Sequence, residues 1–303
     1  MKTVLVSGAS GFLGKILVSR LSRVNLNIRV VALYRSAIPD SLRSVSNVEW
    51  VRIDLADPTS RLVIPYQIDV VVHLAGATLG AGKDPSLFFR SNEMVTFNLL
   101  NQLSGQCSNF IYASSQVVYG DVCSLDVSEE LSLDVKESAY ACSKVNCENW
   151  LRWFQKKTGG TYLSLRFCGF IDGGGLIDYI LDMACEDKDI ELFSSGEIVR
   201  DYLSSDDAIM ALSNAINCIE TLASEFIPIN IGSGQLISSI EIAELVCIVT
   251  NSDSSIIKLD RKGPQGDFIL NNTKARKLLN FQPHNLVEEI NKYANNKSVT
   301  SED

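Results

Sequence analysis

The chain has 303 residues, enough for one large domain or for two that share a cleft, and its 46% hydrophobic and 21% charged content is that of a globular protein. No apolar run approaches the length of a membrane span, and the formal net charge of −9 argues against a nucleic-acid or anionic-membrane surface. An anionic nucleotide stays possible, because a few local arginines suffice to hold one. Eight scattered cysteines with no Cys-x-x-Cys pair read as reduced, packed thiols, and two histidines leave almost no material for a zinc site or a histidine triad. The chain enters a strand at once, without the charged and apolar regions of a signal peptide, so a cytoplasmic enzyme without a metal is expected.

Thr3–Val6 is a short apolar, mostly β-branched run and reads as a buried strand. Gly8, Gly11 and Gly14 follow with the spacing G-x-x-G-x-x-G, and Lys15–Leu21 then carries helical periodicity. Strand, glycine turn and helix together form the context of a dinucleotide-binding loop, in which the helix N-terminus offers N–H groups to a pyrophosphate. Further strands are expected at Val30–Leu33, Val48–Ile53, Val70–His73, Phe110–Ala113 and Leu163–Arg166, with helices at Ser91–Leu103 and Tyr140–Lys157. This alternation predicts right-handed crossovers and an α/β fold, a Rossmann-like doubly wound parallel sheet. Ligands then bind beyond the carboxyl ends of the strands, where Gly8, Arg35, Asp54, Gly76 and Ser115 all fall.

Within the second of those helices, Tyr140 and Lys144 are spaced i, i+4 and share one face. A lysine ammonium beside a phenol stabilises the phenolate, which makes Tyr140 a candidate proton donor or acceptor. His73 ends an apolar strand and reads as structural. From about Gly169 the pattern changes: Gly173–Gly175, a helix at Leu176–Glu186, a strand at Ile190–Phe193, and helices at Asp206–Ile219 and Ser239–Val249. The expected division is a dinucleotide-binding domain over 1–168, a smaller C-terminal substrate lobe over 169–295 with returns to the main sheet, and a disordered tail over 296–303. The polar composition from Asn295 onward underlies that last expectation.

Taken together, these motifs resemble the extended short-chain dehydrogenase/reductases, the NAD(P)-dependent nucleotide-sugar epimerases, dehydratases and reductases, over nearly the whole length. Gly8–Gly14 matches the phosphate loop, Asp54–Leu55 the pair at adenine, His73–Gly76 the strand end beside the cofactor, and Asn92 the helix asparagine. Tyr112–Gly120 matches the strand bearing the active-site serine, and Tyr140 with Lys144 the catalytic pair. Arg200–Tyr202, Asn230–Gly234 and Lys274–Pro283 match the sugar-nucleotide lobe.

The resemblance implies that Ser115 holds the substrate oxygen, with Ser114 the competing candidate, that Tyr140 exchanges the proton and that Lys144 binds the nicotinamide ribose. It implies cofactor contacts from Gly8, Ser10, Gly11, Phe12, Leu13, Gly14, Asp54, Leu55, Leu74, Ala75, Gly76 and Asn92. Substrate contacts are implied from Thr78, Ser115, Gln116, Tyr140, Arg200 and Arg261. A nucleotide-diphosphate sugar is the implied substrate. A homodimer through Ser91–Leu103 and Tyr140–Lys157 is implied as well.

Three departures refine this. The family's 4,6-dehydratases place Asp and Glu after the active-site residue, whereas Gln116 and Val117 stand here and cannot act as the paired acid and base of an elimination. The second strand ends in Tyr34-Arg35-Ser36 rather than in an acid that accepts from the ribose hydroxyls. Arg35 and Ser36 suit a 2′-phosphate, which favours NADP (as NADPH) over NAD. After Arg166 the family shows Asn and a Gly-Pro-Gly turn, but Gly169, Asp172 and Gly173 occupy those places, which unsettles the pyrophosphate contacts there. The reading that results is an NADPH-dependent reductase of a nucleotide 4-keto-6-deoxyhexose. An NAD-dependent 4-epimerase is the alternative, and a non-catalytic dinucleotide sensor the second.

Overall fold

The computed structural model describes residues 1–24, 27–135, 137–261 and 266–300. The apolar runs become β1 (Lys2–Ser7), β2 (Ile28–Tyr34), β3 (Val48–Arg52), β4 (Val70–His73) and β5 (Asn109–Ser115). With the later strands Thr161–Phe167 and Phe226–Ile231 they form one seven-stranded sheet, every neighbouring pair parallel. β1 lies between β2 and β4, so the chain winds outward first toward β3 and then toward Phe226–Ile231. The reversal leaves a crevice above β1 and β4, at the end from which Gly8 and Leu74 emerge.

Side chains alternate between the two sheet faces, as strand geometry requires. Val4, Val6, Val30 and Val72 pack with Leu17 of α1 (Phe12–Val24) and Leu212 of the helix Ser205–Cys218. Leu5, Val31, Val71, Phe110 and Tyr112 face Leu99 and Leu151 on the opposite side. A third apolar cluster, with Ile177, Ile180, Ile242, Val246 and Ile290, belongs to the helices Leu176–Cys185, Ser239–Thr250 and Leu286–Thr300.

Three local differences from the sequence reading have physical causes. The helix expected from Ser91 begins earlier, with Asp84 capping α2 (Pro85–Phe88) through the Ser86 N–H, and it runs through a π-helical turn at Phe89–Met94 into α3 (Val95–Leu103). The strand Phe226–Ile231, absent from the expected strands, contains Pro228. It lies at the sheet edge, where the missing N–H breaks no ladder bond. The helix Leu286–Thr300 occupies most of the stretch expected to be disordered, while 301–303 lie outside the described residues. Two of its polar residues anchor it to the helix Leu176–Cys185, because Lys297 pairs with Asp178 and Asp182 and the Tyr293 hydroxyl donates to Asp178.

Candidate active site

The glycine turn interlocks two backbones. Gly8 has φ +67°, and a Cβ there would stand 2.6 Å from the Ala75 nitrogen; a Cβ on Gly14 would stand 2.0 Å from the Gly8 carbonyl. Side chains are therefore excluded, and the loop lies close against the end of β4. α1 begins just beyond, with no acidic residue in its first turn to compete for an anion. Above the loop lies a cavity of about 440 Å3. Its wall includes Gly8, Ser10, Gly11, Arg35, Ser36, Asp54, Leu55, Leu74, Ala75 and Gly76, along with Tyr34, Ile53 and Val95. The residues expected to hold a dinucleotide thus largely share one surface.

The other expected cofactor residues lie outside that wall. Phe12 sets its ring edge-on to Phe170 at 5.8 Å, and Leu13 packs on the core. Asn92 sits in the π-helical turn and is buried. Its Oδ1 accepts from the Ala77 N–H at 2.7 Å, and its Nδ2 donates to Ser143 Oγ at 2.9 Å. Ser143 donates onward to the Tyr140 carbonyl at 2.8 Å. Asn92 therefore ties the loop after β4 to the helix of Tyr140.

At the rim beyond β2, Arg35 and Ser36 are exposed. The β2–β3 register sets Arg52 opposite Tyr34, and Arg52 Nε donates to the Arg35 carbonyl at 3.3 Å. A second guanidinium thus shares this corner. Sequence reasoning stopped at the end of β2; the signal lay one strand over, in a basic residue at the end of β3.

Of the reacting groups expected from the sequence, Ser115 ends β5 and Lys144 is hydrogen-bonded to that strand. Ser138 caps α4 (Ala139–Thr158) by accepting from the Ala141 N–H, so Tyr140 and Lys144 fall in its first two turns. Both are largely buried, each 8% exposed. Lys144 Nζ donates to the Ala113 carbonyl at 2.8 Å and lies 4.8 Å from the Tyr112 ring centroid and 5.8 Å from that of Tyr140. The two serines have different surroundings. Ser114 is buried and donates to Glu148 Oε1 at 2.7 Å, whereas Ser115 is half-buried and its Oγ accepts a long bond, 3.4 Å, from the Val117 N–H. Ser114 is committed to the core, and Ser115 is the less buried of the two.

His73 has a structural setting, hydrogen-bonded to Ser7 Oγ at 2.6 Å and to Thr96 Oγ1 at 2.9 Å. Complete burial, with the nearby Lys144 charge second, lowers its pKa to about 3.

On the substrate side, Val117, Gly120 and Ala141 line a second cavity of about 540 Å3 with Leu79. Thr78 is exposed just before Leu79, and Gln116 Oε1 is buried without a hydrogen-bond partner. Arg200 is half-buried and desolvation lowers its pKa, while Arg261 is exposed, with its carbonyl accepting from the Ser194 N–H. Asp201, in the link between the short strands Val199–Arg200 and Tyr202–Leu203, is buried and accepts from Ser233 N and Oγ, Gly234 N and Leu270 N, which fastens the Asn230–Gly234 segment to that link. Burial pushes its carboxyl up to about 6, against the pull of those donors.

The departures after Arg166 also have local explanations. A Cβ on Gly169 would stand 3.3 Å from the Tyr202 ring, Asp172 accepts from the Ser205 N–H, and Asp178 accepts from the Gly174 N–H at the mouth of the following helix.

The chain is similar to known proteins in sequence and in fold. A family model for the NAD dependent epimerase/dehydratase family matches residues 4–232. The dTDP-4-dehydro-6-deoxyglucose reductase of Escherichia coli is 30% identical over 84% of this chain and 83% of that protein. The dTDP-glucose 4,6-dehydratase of Neisseria meningitidis serogroup B is 25% identical over 82% of this chain and 75% of that protein. In fold, the chain is similar to UDP-glucuronic acid 4-epimerase from Bacillus cereus, in complex with UDP-glucuronic acid and NAD. That match has a TM-score of 0.81 at 24% identity, over 99% of each chain. Among the described residues no helix is long and apolar enough to cross a membrane.

Proposed function

The chain belongs to the NAD-dependent epimerase/dehydratase family, and on that premise we propose that it is an NADPH-dependent reductase of a nucleotide 4-keto-6-deoxyhexose. The observation that carries most weight is the setting of Lys144. Its ammonium is bonded to the carbonyl two residues before Ser115, and it lies one helical turn from Tyr140.

The glycine loop fits a dinucleotide, since Gly8 and Gly14 leave no room for a Cβ and bring backbone N–H groups within reach of a pyrophosphate. Ser10, Gly11, Leu74, Ala75 and Gly76 would flank it, with Asp54 and Leu55 at the adenine. When bound, the nicotinamide supplies the hydride. Tyr140 delivers a proton to the carbonyl oxygen as that oxygen becomes a hydroxyl, and Ser115 holds the oxygen by a hydrogen bond. Lys144 stabilises the phenolate left behind. Gln116 accepts from a sugar hydroxyl, and Arg200 and Arg261 hold the diphosphate.

Two guanidiniums, Arg35 and Arg52, at the ribose corner support NADPH over NADH. Gln116 and Val117 supply no acid–base pair for elimination. A 4-epimerase would use the same Ser115, Tyr140 and Lys144, but it returns its hydride to the substrate and gains nothing from an exchangeable NADPH.

A homodimer is proposed on the exposed aromatic face of α4, where Trp150 and Trp153 are 36% and 52% exposed and Trp150 meets Phe97 of α3 edge-on. Sedimentation of the Trp153→Glu variant as a monomer would support it.

The reaction is tested with a panel of nucleotide 4-keto-6-deoxy sugars and nucleotide hexoses, each with NADPH or NADH. Consumption of NADPH with the keto sugars alone is expected. Loss of water from a nucleotide hexose without added reductant would select a dehydratase instead, and interconversion of two nucleotide sugars with no net NADPH change an epimerase.

A further inference from the structure

Behind the end of β5 lies a set of polar side chains that no step above uses. Glu148 projects from α4 one turn beyond Lys144 and is fully buried. Its Oε1 accepts from Ser114 Oγ at 2.7 Å, from Ser164 Oγ at 2.9 Å and from Arg166 Nε at 3.0 Å, and its Oε2 accepts from Arg166 Nη2 at 2.7 Å. Arg166 Nη1 donates to the Tyr119 hydroxyl at 2.9 Å, and that hydroxyl donates to Asn230 Oδ1 at 2.6 Å. Asn230 Nδ2 closes the chain on the Val127 carbonyl at 2.8 Å. Strand register puts Ser114, Arg166 and Asn230 side by side across three neighbouring strands.

A buried ion pair is weak evidence for stability, because desolvation offsets much of the attraction. What this one fixes is more telling. Ser114 immediately precedes Ser115, and Tyr119 ends the 3-10 turn Gln116–Tyr119 that follows it. Glu148 belongs to the helix that bears Tyr140 and Lys144. The segment carrying Ser115 is therefore gripped on both flanks, and both grips lead to α4. Sliding α4 along its axis would pull one carboxylate away from donors on two strands at once.

We infer that Glu148 and Tyr119 are positioning residues that set Ser115 in register with Tyr140 and Lys144, an inference that rests on reading those three as the reacting groups. Only a carboxylate serves at 148, since all four of its contacts come from donors. An amide would turn an N–H toward one of them.

The test uses the full chain and turnover of dTDP-4-dehydro-6-deoxyglucose with NADPH. Ser114→Ala and Tyr119→Phe each remove one hydroxyl from the network. A displacement of reacting groups by about 1 Å costs on the order of a hundredfold in rate, so kcat per NADPH-binding molecule should fall about ten- to a hundredfold. The Kd for NADPH should not change, because no residue of the network lines the cavity above the glycine loop, and Ser114→Thr, which keeps the hydroxyl, should restore kcat. A lowered Tm with wild-type kcat in both variants would mean that the network is structural only, and would overturn the inference. Ser115→Ala separates the two levels of the argument. If it keeps wild-type turnover, the choice of reacting groups has failed and the inference with it. If it is inactive while Ser114→Ala and Tyr119→Phe keep their kcat, positioning alone is refuted.

Discussion

His73 gives this fold a defined weakness to acid. The ring is completely buried between Ser7 and Thr96, and its pKa is depressed to about 3. In the unfolded chain it titrates at about 6.5. A depressed folded pKa means that the unfolded state takes up the proton first, so the stabilising contribution is whole above pH 6.5 and is lost as the pH falls toward 3. The full span of about 3.5 units corresponds to roughly 5 kcal/mol at about 1.36 kcal/mol per unit, of which roughly 2–3 kcal/mol is lost between pH 7 and pH 4.5. Carboxylates titrate over the same range, so the wild type alone does not isolate the effect. His73→Asn keeps a polar group near Ser7 but cannot titrate. Urea unfolding of both proteins at several pH values should therefore show the wild-type advantage shrinking by that amount on acidification. Parallel stability curves for the two proteins would refute the argument, because they would mean that His73 accepts its proton in the folded state.

Other perturbations address the site. Tyr140→Phe removes one hydroxyl and should leave NADPH binding intact while lowering turnover by about 10²–10⁴-fold, as read by single-turnover kinetics. Arg35→Ala should weaken NADPH binding by about ten- to a hundredfold while leaving NADH nearly untouched, as measured by fluorescence titration, and equal losses would remove the case for a 2′-phosphate. Asp201→Asn replaces one acceptor oxygen by a donor and leaves unsatisfied either the Ser233 N–H and hydroxyl or the N–H groups of Gly234 and Leu270. The expected destabilisation is about 2–4 kcal/mol by urea unfolding, and a loss below about 1 kcal/mol would show that the carboxylate is not needed there.

What could be read in the sequence was what local pattern encodes. Thr3–Val6 and Val70–His73 are legible because buried parallel strands are continuous apolar runs, and the glycine turn because only glycine tolerates φ +67° at Gly8 against the Ala75 backbone. Tyr140 and Lys144 are legible because a helix turns a spacing of four into a shared face. The Glu148 network is invisible at that level, since Ser114, Arg166 and Asn230 meet only through the cross-strand register of separate parts of the chain. Arg52 was missed for the same reason. The C-terminal helix was legible in principle. Leu286, Ile290 and Ala294 recur every four residues and are buried, but the polar residues between them dominate the composition.

The central claim, a net reduction at the keto carbon, is tested most directly by isotope transfer. The protein is given dTDP-4-dehydro-6-deoxyglucose and NADPH deuterated at the transferable position, and the product is analysed by mass spectrometry and NMR. One deuterium per product molecule is expected, bound at sugar C4, with one NADPH oxidised for each. Product formed without deuterium at C4, or formed while NADPH is not consumed, would contradict that claim.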